Sequence, residues 1–422
     1  MGKSSNKVLI FSMMLIFFEV FYWCIMFFNR AELMDCYFIT DYADTSMDYF
    51  NMLSNLRYDT PYIFRANYPA MCFFILDIFF HFIPLDFRGN DGFFYRNYMP
   101  AQLVYIIYSL FLIIVLWEIL KRCIDGDNFV KYIFSIAIII SGPIIFLLER
   151  GNFLFIALIS SLIFVNLYNS DNKKLRYISY IALAFAASIK IYPALLGVLI
   201  LSKKRYKEAF STIVLGIILF VLPFFHFDGI TSIKQMIDGI LYASELQGNA
   251  GMGINFSFVN LVRIFCAFSG REVTEISAVV KILPLFLCLI VYLASSREWE
   301  RVFSVVLLCV WFPEFNYTYI LTFFLLPLIS FLNEKDDENP FFSKIFLVMF
   351  GLIFIPYALP ILEGMDIPDA KYPLAWGTVI INVAICIIAI CIICKRIYSL
   401  VIEYKIKSLQ IKRKEKERIT EI

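Results

Sequence analysis

The sequence predicts an all-α protein, a polytopic transmembrane helical bundle of about twelve membrane helices. Hydrophobic residues make up 61% of its 422 positions and charged residues 17%, whereas soluble domains are roughly 45–50% apolar and about 25% charged. The apolar residues lie in runs that approach or exceed the roughly 20 residues a helix needs to cross a bilayer. Lipid offers the backbone no hydrogen-bond partners, so the crossing segments are expected to be helices. The runs include 8–28, 101–119, 132–148, 211–225, 345–359 and 379–394.

Basic residues predict the orientation of the chain. Lys3 and Lys7 precede the first apolar run, which is rich in bulky aromatics and has no small-residue cleavage site after it, so it is predicted to be a retained signal anchor. The basic clusters at 203–207, 296–301 and 395–418 are expected on the cytoplasmic side, with both termini. The segments predicted to lie outside are 29–66, 227–256 and 362–373.

One conflict in this topology stays open at the level of sequence. Strict alternation places 121–131 and 172–176 outside, whereas their Lys and Arg content places them inside. Helices around 66–84 and 177–201 that cross only half of the membrane would resolve the conflict, because each stretch contains a proline that can break a helix.

The first predicted outer loop is rich in carboxylates. Asp41, Asp44 and Asp48 lie within eight residues, and a helix would place Asp44 and Asp48 on one face. A carboxylate held at the membrane interface can accept a proton from a hydroxyl group, or it can bind a divalent cation beside a phosphate. An ordinary solvated acidic loop has the same composition and remains the alternative.

Two basic residues stand out in apolar surroundings. Arg150, in the sequence Glu149-Arg150-Gly151-Asn152, lies between two apolar stretches and is either a membrane anchor or a bidentate phosphate partner. Lys190 lies in the middle of the apolar stretch 177–201. A lysine there is costly unless it faces a polar cavity or partner, so a functional role is predicted for it.

Polar groups elsewhere predict a substrate site but no metal centre. The stretch Glu314–Tyr319 interrupts two apolar runs at the expected level of the first outer loop. The ten cysteines show no metal-ligand spacing, so no cofactor is expected, and a divalent cation is considered only at the loop aspartates. A net charge of +2 gives no indication of nucleic-acid binding. The partner expected from these features is the lipid bilayer.

Together these elements resemble the GT-C superfamily, most closely glycosyltransferase family 87, which includes polyprenol-phosphate-mannose-dependent mannosyltransferases. The likeness covers roughly residues 8–210, and the sequence Tyr68-Pro69-Ala70 departs from the family's usual Tyr-Pro-Pro. The elements that carry it are Met47–Asn51 with Pro61-Tyr62 and Tyr68-Pro69, then Arg150-Gly151-Asn152, and Ala186–Pro193 with the basic turn Lys203–Arg205.

The resemblance implies an integral-membrane glycosyltransferase. It would transfer a mannose-like hexose or a pentose from a polyprenyl-phosphate donor to a glycan or glycolipid acceptor of the cell envelope, on the outer face of the cell membrane and with inversion. The resemblance assigns the catalytic carboxylate to Asp48, with Asp44 beside it, and the donor phosphate to Lys190 and Arg150. The residues expected to line the substrate are Asn51, Tyr68, Asn152, Tyr192 and Asn316.

Two other functions are compared with the same observations. An O-antigen-type polymerase would use outer-loop arginines, which 227–256 lacks, and a flippase or transporter of lipid-linked sugars often has internal repeats, of which none is visible.

The chain is predicted to comprise a catalytic membrane module, 1–210, with its outer loop 29–66. C-terminal membrane helices, 211–394, and a basic cytoplasmic tail, 395–422, follow it.

Overall fold

The computed structural model describes residues 3–31, 44–58, 60–248, 251–271, 277–334, 340–357, 359–362, 364–365 and 372–420. The described residues form α-helices and short 3₁₀ segments with no β-strand among them, which confirms the all-α prediction. The helices are α1 Lys3–Phe28, α2 Met47–Asn55, α3 Ala70–Phe80, α4 Gly92–Asn97, α5 Met99–Cys123, α6 Asn128–Ile139, α7 Gly142–Arg150, α8 Leu154–Leu167, α9 Lys173–Ile189, α10 Val198–Ser202, α11 Tyr206–Val221, α12 Ile230–Gly248, α13 Phe258–Phe268, α14 Ala278–Ala294, α15 Glu298–Trp311, α16 Leu325–Asn333, α17 Pro340–Phe354 and α18 Trp376–Thr420. The 3₁₀ segments are Leu85–Phe87, Tyr192–Gly197, Leu222–His226 and Thr318–Phe324.

Several helices have the length and composition of membrane spans. Helices α6 and α7 together form one candidate span, bent by 53° at a short break, and further apolar helices are shorter, with 10–17 residues. Large apolar side chains face outward from these helices, as Ile107 of α5 (65% exposed) and Phe210 of α11 (69%) illustrate. Such exposure suits a lipid environment. The predicted count of about twelve spans is not confirmed. Four single helices meet the criteria for a span within the described residues, namely Asn6–Phe28, Met99–Cys123, Tyr206–His226 and Trp376–Tyr404.

One end of the bundle gathers the basic clusters. Lys7 Nζ donates to the backbone oxygens of Phe331 (2.7 Å) and Glu334 (2.9 Å). Ion pairs at the same end join residues that are distant in sequence. These pairs are Lys203–Glu298 at 3.0 Å, Arg297–Glu334 at 3.7 Å and Lys395–Glu300 at 2.7 Å.

The two segments whose side was left open by the sequence, 121–131 and 172–176, also lie at this end. The side chain of Asn333, next to Glu334, donates to the backbone oxygen of Cys123 at the end of α5. Arg205 donates to the backbone oxygen of Tyr168, just before 172–176. Helix α3 does not carry the chain across, because Asp77 near its end contacts His226 at the far end of the α11 span. Both disputed segments therefore lie at the end that carries the basic clusters, and the short, broken helices before them fit the half-crossing hypothesis, which stays a prediction.

The three predicted outer segments meet at the opposite end. Their contacts include the Gly253 amide donating to the Tyr372 backbone oxygen at 2.8 Å. Thr60 and Ser232 are hydrogen-bonded at 3.0 Å, and the Arg65 guanidinium lies 4.1 Å from the Tyr242 ring centroid. One apolar core contains residues from both 1–210 and 211–394, and α18 continues without a break from 394 into the predicted tail.

Candidate active site

Asp48 lies in the first turn of α2, at the end of the bundle where the outer segments meet. Ser46, which precedes the helix, adopts a left-handed conformation (φ 60°). Its amide donates to the backbone oxygen of Glu149 at 2.7 Å, which fixes the start of α2 against the end of α7. The apolar face of α2, with Tyr49, is buried, whereas the Asp48 side chain remains 21% exposed. The helix therefore holds a partly accessible carboxylate at its positive end.

Both carboxylate oxygens of Asp48 accept a hydrogen bond. Arg150 donates to Oδ1 at 2.9 Å, and Asn152 donates through Nδ2 to Oδ2 at 2.7 Å. An ionised carboxylate has about four lone-pair sites, so each oxygen retains capacity for another donor. The two donors fix the orientation of the carboxylate and leave it able to accept a proton or a hydrogen bond from a ligand.

Gly151 allows two neighbouring side chains to reach the same carboxylate. It ends α7 in a left-handed conformation (φ 63°, ψ 32°), so the chain reverses between Arg150 and Asn152. Arg150 is nearly buried, with 9% of its side chain exposed, and also donates to the backbone oxygen of Asp44 at 2.8 Å. The Asp44 carboxylate lies 3.7 Å from the same guanidinium. Arg150 is thus fully engaged by the first outer loop.

Replacing Gly151 with Ala should destabilise the protein and lower its activity. A Cβ atom at this position would lie 2.9 Å from Tyr49 Cβ, and its φ of +63° is unfavourable for Ala. Thermal unfolding in detergent should show a clear decrease in melting temperature. Gly270→Ala is the matched control, because Gly270 has a φ of +67° but no atom within 4 Å of its Cβ position. Equal effects in the two variants would contradict the steric explanation.

Asn152 links Asp48 to Tyr68 and, through Tyr68, to Lys190. Its Nδ2 also donates to Tyr68 Oη at 2.7 Å, and Lys190 Nζ lies 3.9 Å from the centroid of the Tyr68 ring. Among the described residues, no carboxylate lies within 4.0 Å of Lys190. Lys190 therefore lies within electrostatic range of Asp48, and no carboxylate of the described residues pairs with it.

The C-terminal half contributes aromatic residues that the sequence interpretation missed. Tyr319 contacts the side chain of Asn152 and, like Tyr317, lies within electrostatic range of Asp48. The Tyr317 and Tyr319 rings are 5.5 Å apart, and Tyr372 lies 6.2 Å from Tyr317. The polar stretch Glu314–Tyr319 carried the signal, but only Asn316 was selected from it.

Some predicted site residues lie outside this cluster. Asn51 packs against α4, where its Oδ1 is 2.5 Å from the Cβ position of Gly92. Asn316 donates to the backbone oxygens of Cys309 and Val310, so it satisfies the end of α15. The Tyr192 ring packs on Phe323, with centroids 5.4 Å apart, at the edge of the cluster. Asp41 lies outside the described residues.

The acidic side chains do not form a metal centre in the part of the chain that the structure describes. No group of three or more His, Cys, Asp or Glu residues there is arranged to hold a metal ion. The Arg150 guanidinium already occupies the space between Asp44 and Asp48 that a divalent cation would need. These two carboxylates are thus arranged around an organic cation.

Comparison with known proteins identifies the family. The sequence model of glycosyltransferase family 87 matches residues 80–312, which is more than half of the chain and includes Arg150, Asn152 and Lys190. No curated protein and no solved structure is significantly similar. The match confirms the resemblance predicted from the motifs, and the chain belongs to glycosyltransferase family 87.

Proposed function

We propose that this protein transfers a sugar, a mannose-like hexose or a pentose, from a polyprenyl-phosphate donor to a hydroxyl group of a glycan or glycolipid. The observation that carries the proposal is the arrangement of two groups of opposite charge. Asp48 is a carboxylate oriented by Arg150 and Asn152, and Lys190 is a cation beside it across the Tyr68 ring. A displacement at a sugar phosphate needs a base for the nucleophile and a cation for the leaving group.

In the proposed reaction, Asp48 acts as general base on the acceptor hydroxyl. The hydroxyl oxygen forms a bond to the anomeric carbon from the face opposite the phosphate, while the bond from that carbon to the phosphate oxygen breaks. The hydroxyl proton passes to Asp48, and the bonding electrons leave with the polyprenyl phosphate. The configuration at the anomeric carbon is inverted. The partial exposure of Asp48, 21%, leaves room for the acceptor to approach.

The geometry favours Lys190 over Arg150 as the group that binds the donor phosphate. Arg150 is nearly buried and already bonded to Asp48 and to the backbone oxygen of Asp44. Its role in this proposal is to hold the base in place. Lys190 packs on the Tyr68 ring and makes no hydrogen bond or ion pair in the described contacts, so it has donors left for an anion. Catalytic roles are therefore assigned to Asp48 and Lys190, and a supporting role to Arg150.

A cavity next to Lys190 supports a lipid-linked donor. A cavity of about 460 Å³ lies between α9, α10 and α11, and it is lined almost entirely by apolar side chains. Ile191, the residue after Lys190, is part of its wall, and Ala187, Gly197 and Gly216 keep it open. A prenyl chain could occupy this space while its phosphate reaches Lys190. Burial of each CH₂ group there would contribute about 0.8 kcal/mol.

We further propose that the site faces the outside of the cell membrane. The opposite end of the bundle carries the paired basic clusters around Lys7, Lys203 and Lys395, which are expected in the cytoplasm with both termini. The donor phosphate would then be used on the outer face, and the product would belong to the cell envelope. Cysteine labelling from outside intact cells, at single cysteines near Tyr242 and near Lys203, tests this orientation.

The transfer assay with purified protein in liposomes tests the function directly. Radiolabelled sugar is offered as a polyprenyl-phosphate donor or as a nucleotide sugar, with a panel of glycan and glycolipid acceptors. Transfer is expected only from the lipid donor, and a donor with a shortened prenyl chain should show a higher KM because it fills less of the apolar cavity. Transfer from the nucleotide sugar alone, or from neither donor, would contradict the proposal.

Chelation of divalent cations is expected to leave the transfer rate unchanged. The reason is that the Arg150 guanidinium already contacts both carboxylates that a cation would bind. The measurement is the initial rate with the lipid donor before and after addition of EDTA, with excess Mg²⁺ restored as a control. A loss of activity that Mg²⁺ or Mn²⁺ restores would favour the alternative, in which Asp44 and Asp48 bind a cation.

A further inference from the structure

Glu19 is a buried acid in the middle of the first membrane helix. It is the only Asp or Glu in α1, and its side chain lies among apolar residues with 1% exposed. An acid inside a membrane segment is costly and usually has a functional partner. Its one hydrogen bond among the described contacts is made to the Gly142 amide and not to the Asp48 cluster. Its partner must therefore be sought within the fold.

The partner of Glu19 is the start of α7. The Gly142 amide donates to Glu19 Oε1 at 3.1 Å. The first amide groups of a helix have no partner within it, and the N-cap residue Ser141 makes no capping bond here, because its hydroxyl donates back to the Ile138 oxygen. Pro143 follows and has no amide hydrogen. Glu19 thus supplies from another helix the cap that α7 lacks.

The other end of α7 carries the residues that hold Asp48. Helix α7 has nine residues, so it is about 13 Å long. A bend of 53° separates it from α6, which means that no continuous helix fixes its position. A displacement at Gly142 would therefore move Arg150 and Asn152 along the helix axis.

We propose that Glu19 is a positioning residue that caps α7 and thereby holds Arg150 and Asn152 in register with Asp48. The role rests on the proposed function of the Asp48 cluster. It needs a hydrogen-bond acceptor at the side-chain position of Glu19 and does not need a charge, because Gly142 N–H is a neutral donor.

Two substitutions of Glu19 by side chains of nearly the same size distinguish its role as a hydrogen-bond acceptor from its contribution to packing. Glu19→Gln keeps a carbonyl oxygen and should retain a turnover close to wild type. Glu19→Met removes the strong acceptor and should lower kcat by about ten- to a hundredfold, the usual consequence of a small misplacement of a catalytic group, with the donor KM changed much less. Ser12→Ala is the matched control, since Ser12 is equally buried in α1 but bonds only within its own helix, to the Val8 oxygen.

Coupling and hydrogen exchange give readouts that a purely structural role would not produce. In an Asn152→Ala background the Met substitution should have little further effect on kcat, because both changes act through the same carboxylate. Amide exchange across 142–152 should increase in Glu19→Met and stay unchanged in Glu19→Gln. A folded Glu19→Gln variant with a large loss of kcat, or wild-type exchange in Glu19→Met, would overturn the proposal. The exchange result does not depend on activity, so it remains decisive if wild type transfers no sugar and the proposed function itself fails.

Discussion

Replacing Asp48 with Asn is expected to lower sugar transfer by about 10²–10⁴-fold, the usual contribution of general base catalysis. Asn has nearly the same shape as Asp, but its amide cannot take the proton of the acceptor hydroxyl. One of the two hydrogen bonds from Arg150 and Asn152 should survive, because Asn retains one oxygen. The measurement is the rate of radiolabelled transfer from a polyprenyl-phosphate donor, together with donor binding and thermal unfolding of the same preparation.

Asp44→Asn is the matched control for this experiment. Asp44 contacts the same guanidinium, but its carboxylate is 3.7 Å away, and the closer contact to Arg150 is made by its backbone oxygen, which the substitution retains. The control should therefore lose far less activity than Asp48→Asn. Equal activity of Asp48→Asn and wild type would remove Asp48 from the mechanism. A larger loss in Asp44→Asn would transfer the role of base to Asp44.

Replacing Lys190 with Met is expected to reduce transfer by about 10²–10³-fold, comparable to the loss of a single donor that stabilises developing charge. The negative charge on the departing phosphate grows in the transition state, and the Lys190 ammonium group is the cation that the described contacts leave free to meet it. Met keeps most of the side-chain volume, so packing against Tyr68 should be preserved. Donor KM should rise as well, since the phosphate carries charge already in the ground state. Transfer rates over a range of donor concentrations give both quantities.

Lys281→Met serves as the control for the charge change. Lys281 lies at the start of α14 and pairs with Glu314 at 2.6 Å, and its side chain is 43% exposed. A partly exposed pair of this kind contributes little, about 0–1 kcal/mol, and is not engaged with the Asp48 cluster in the described contacts. This variant should retain nearly full activity. If Lys190→Met behaves in the same way, the donor phosphate is bound by other residues, and Arg150 becomes the next one to test.

The residues that form the cluster around Asp48 could be selected from the sequence. Arg150 and Lys190 stand out because charged residues at the edges or inside of apolar stretches are costly and therefore uncommon. Asp48, Asn152 and Tyr68 were selected through the family resemblance. The structure brings these residues together in one connected cluster. Whether they perform the proposed chemistry stays a prediction for the experiments above.

The partners within the site were not predictable in the same way. Arg150 was assigned to a phosphate, but in the fold it pairs with Asp48, 102 residues away. Asn316 was expected to line the substrate, yet its amide satisfies the last carbonyl groups of α15, while Tyr319, three residues later, contacts Asn152. At the end of a membrane helix, a polar residue that caps a backbone and one that faces a ligand have the same sequence pattern.

The sequence by itself determined that the chain is helical and apolar enough for a membrane. It also determined which polar residues lie in apolar surroundings and therefore need a partner. Those properties depend on composition and on spacing along one helix, where each residue contributes independently of distant ones. Only the tertiary structure decided that Arg150 pairs with Asp48, that Lys190 lies against the Tyr68 ring with no carboxylate of the described residues within 4.0 Å, and that Glu19 accepts a hydrogen bond from the start of α7. These pairings depend on how far each helix extends, where it breaks and how helices that are distant in sequence pack together.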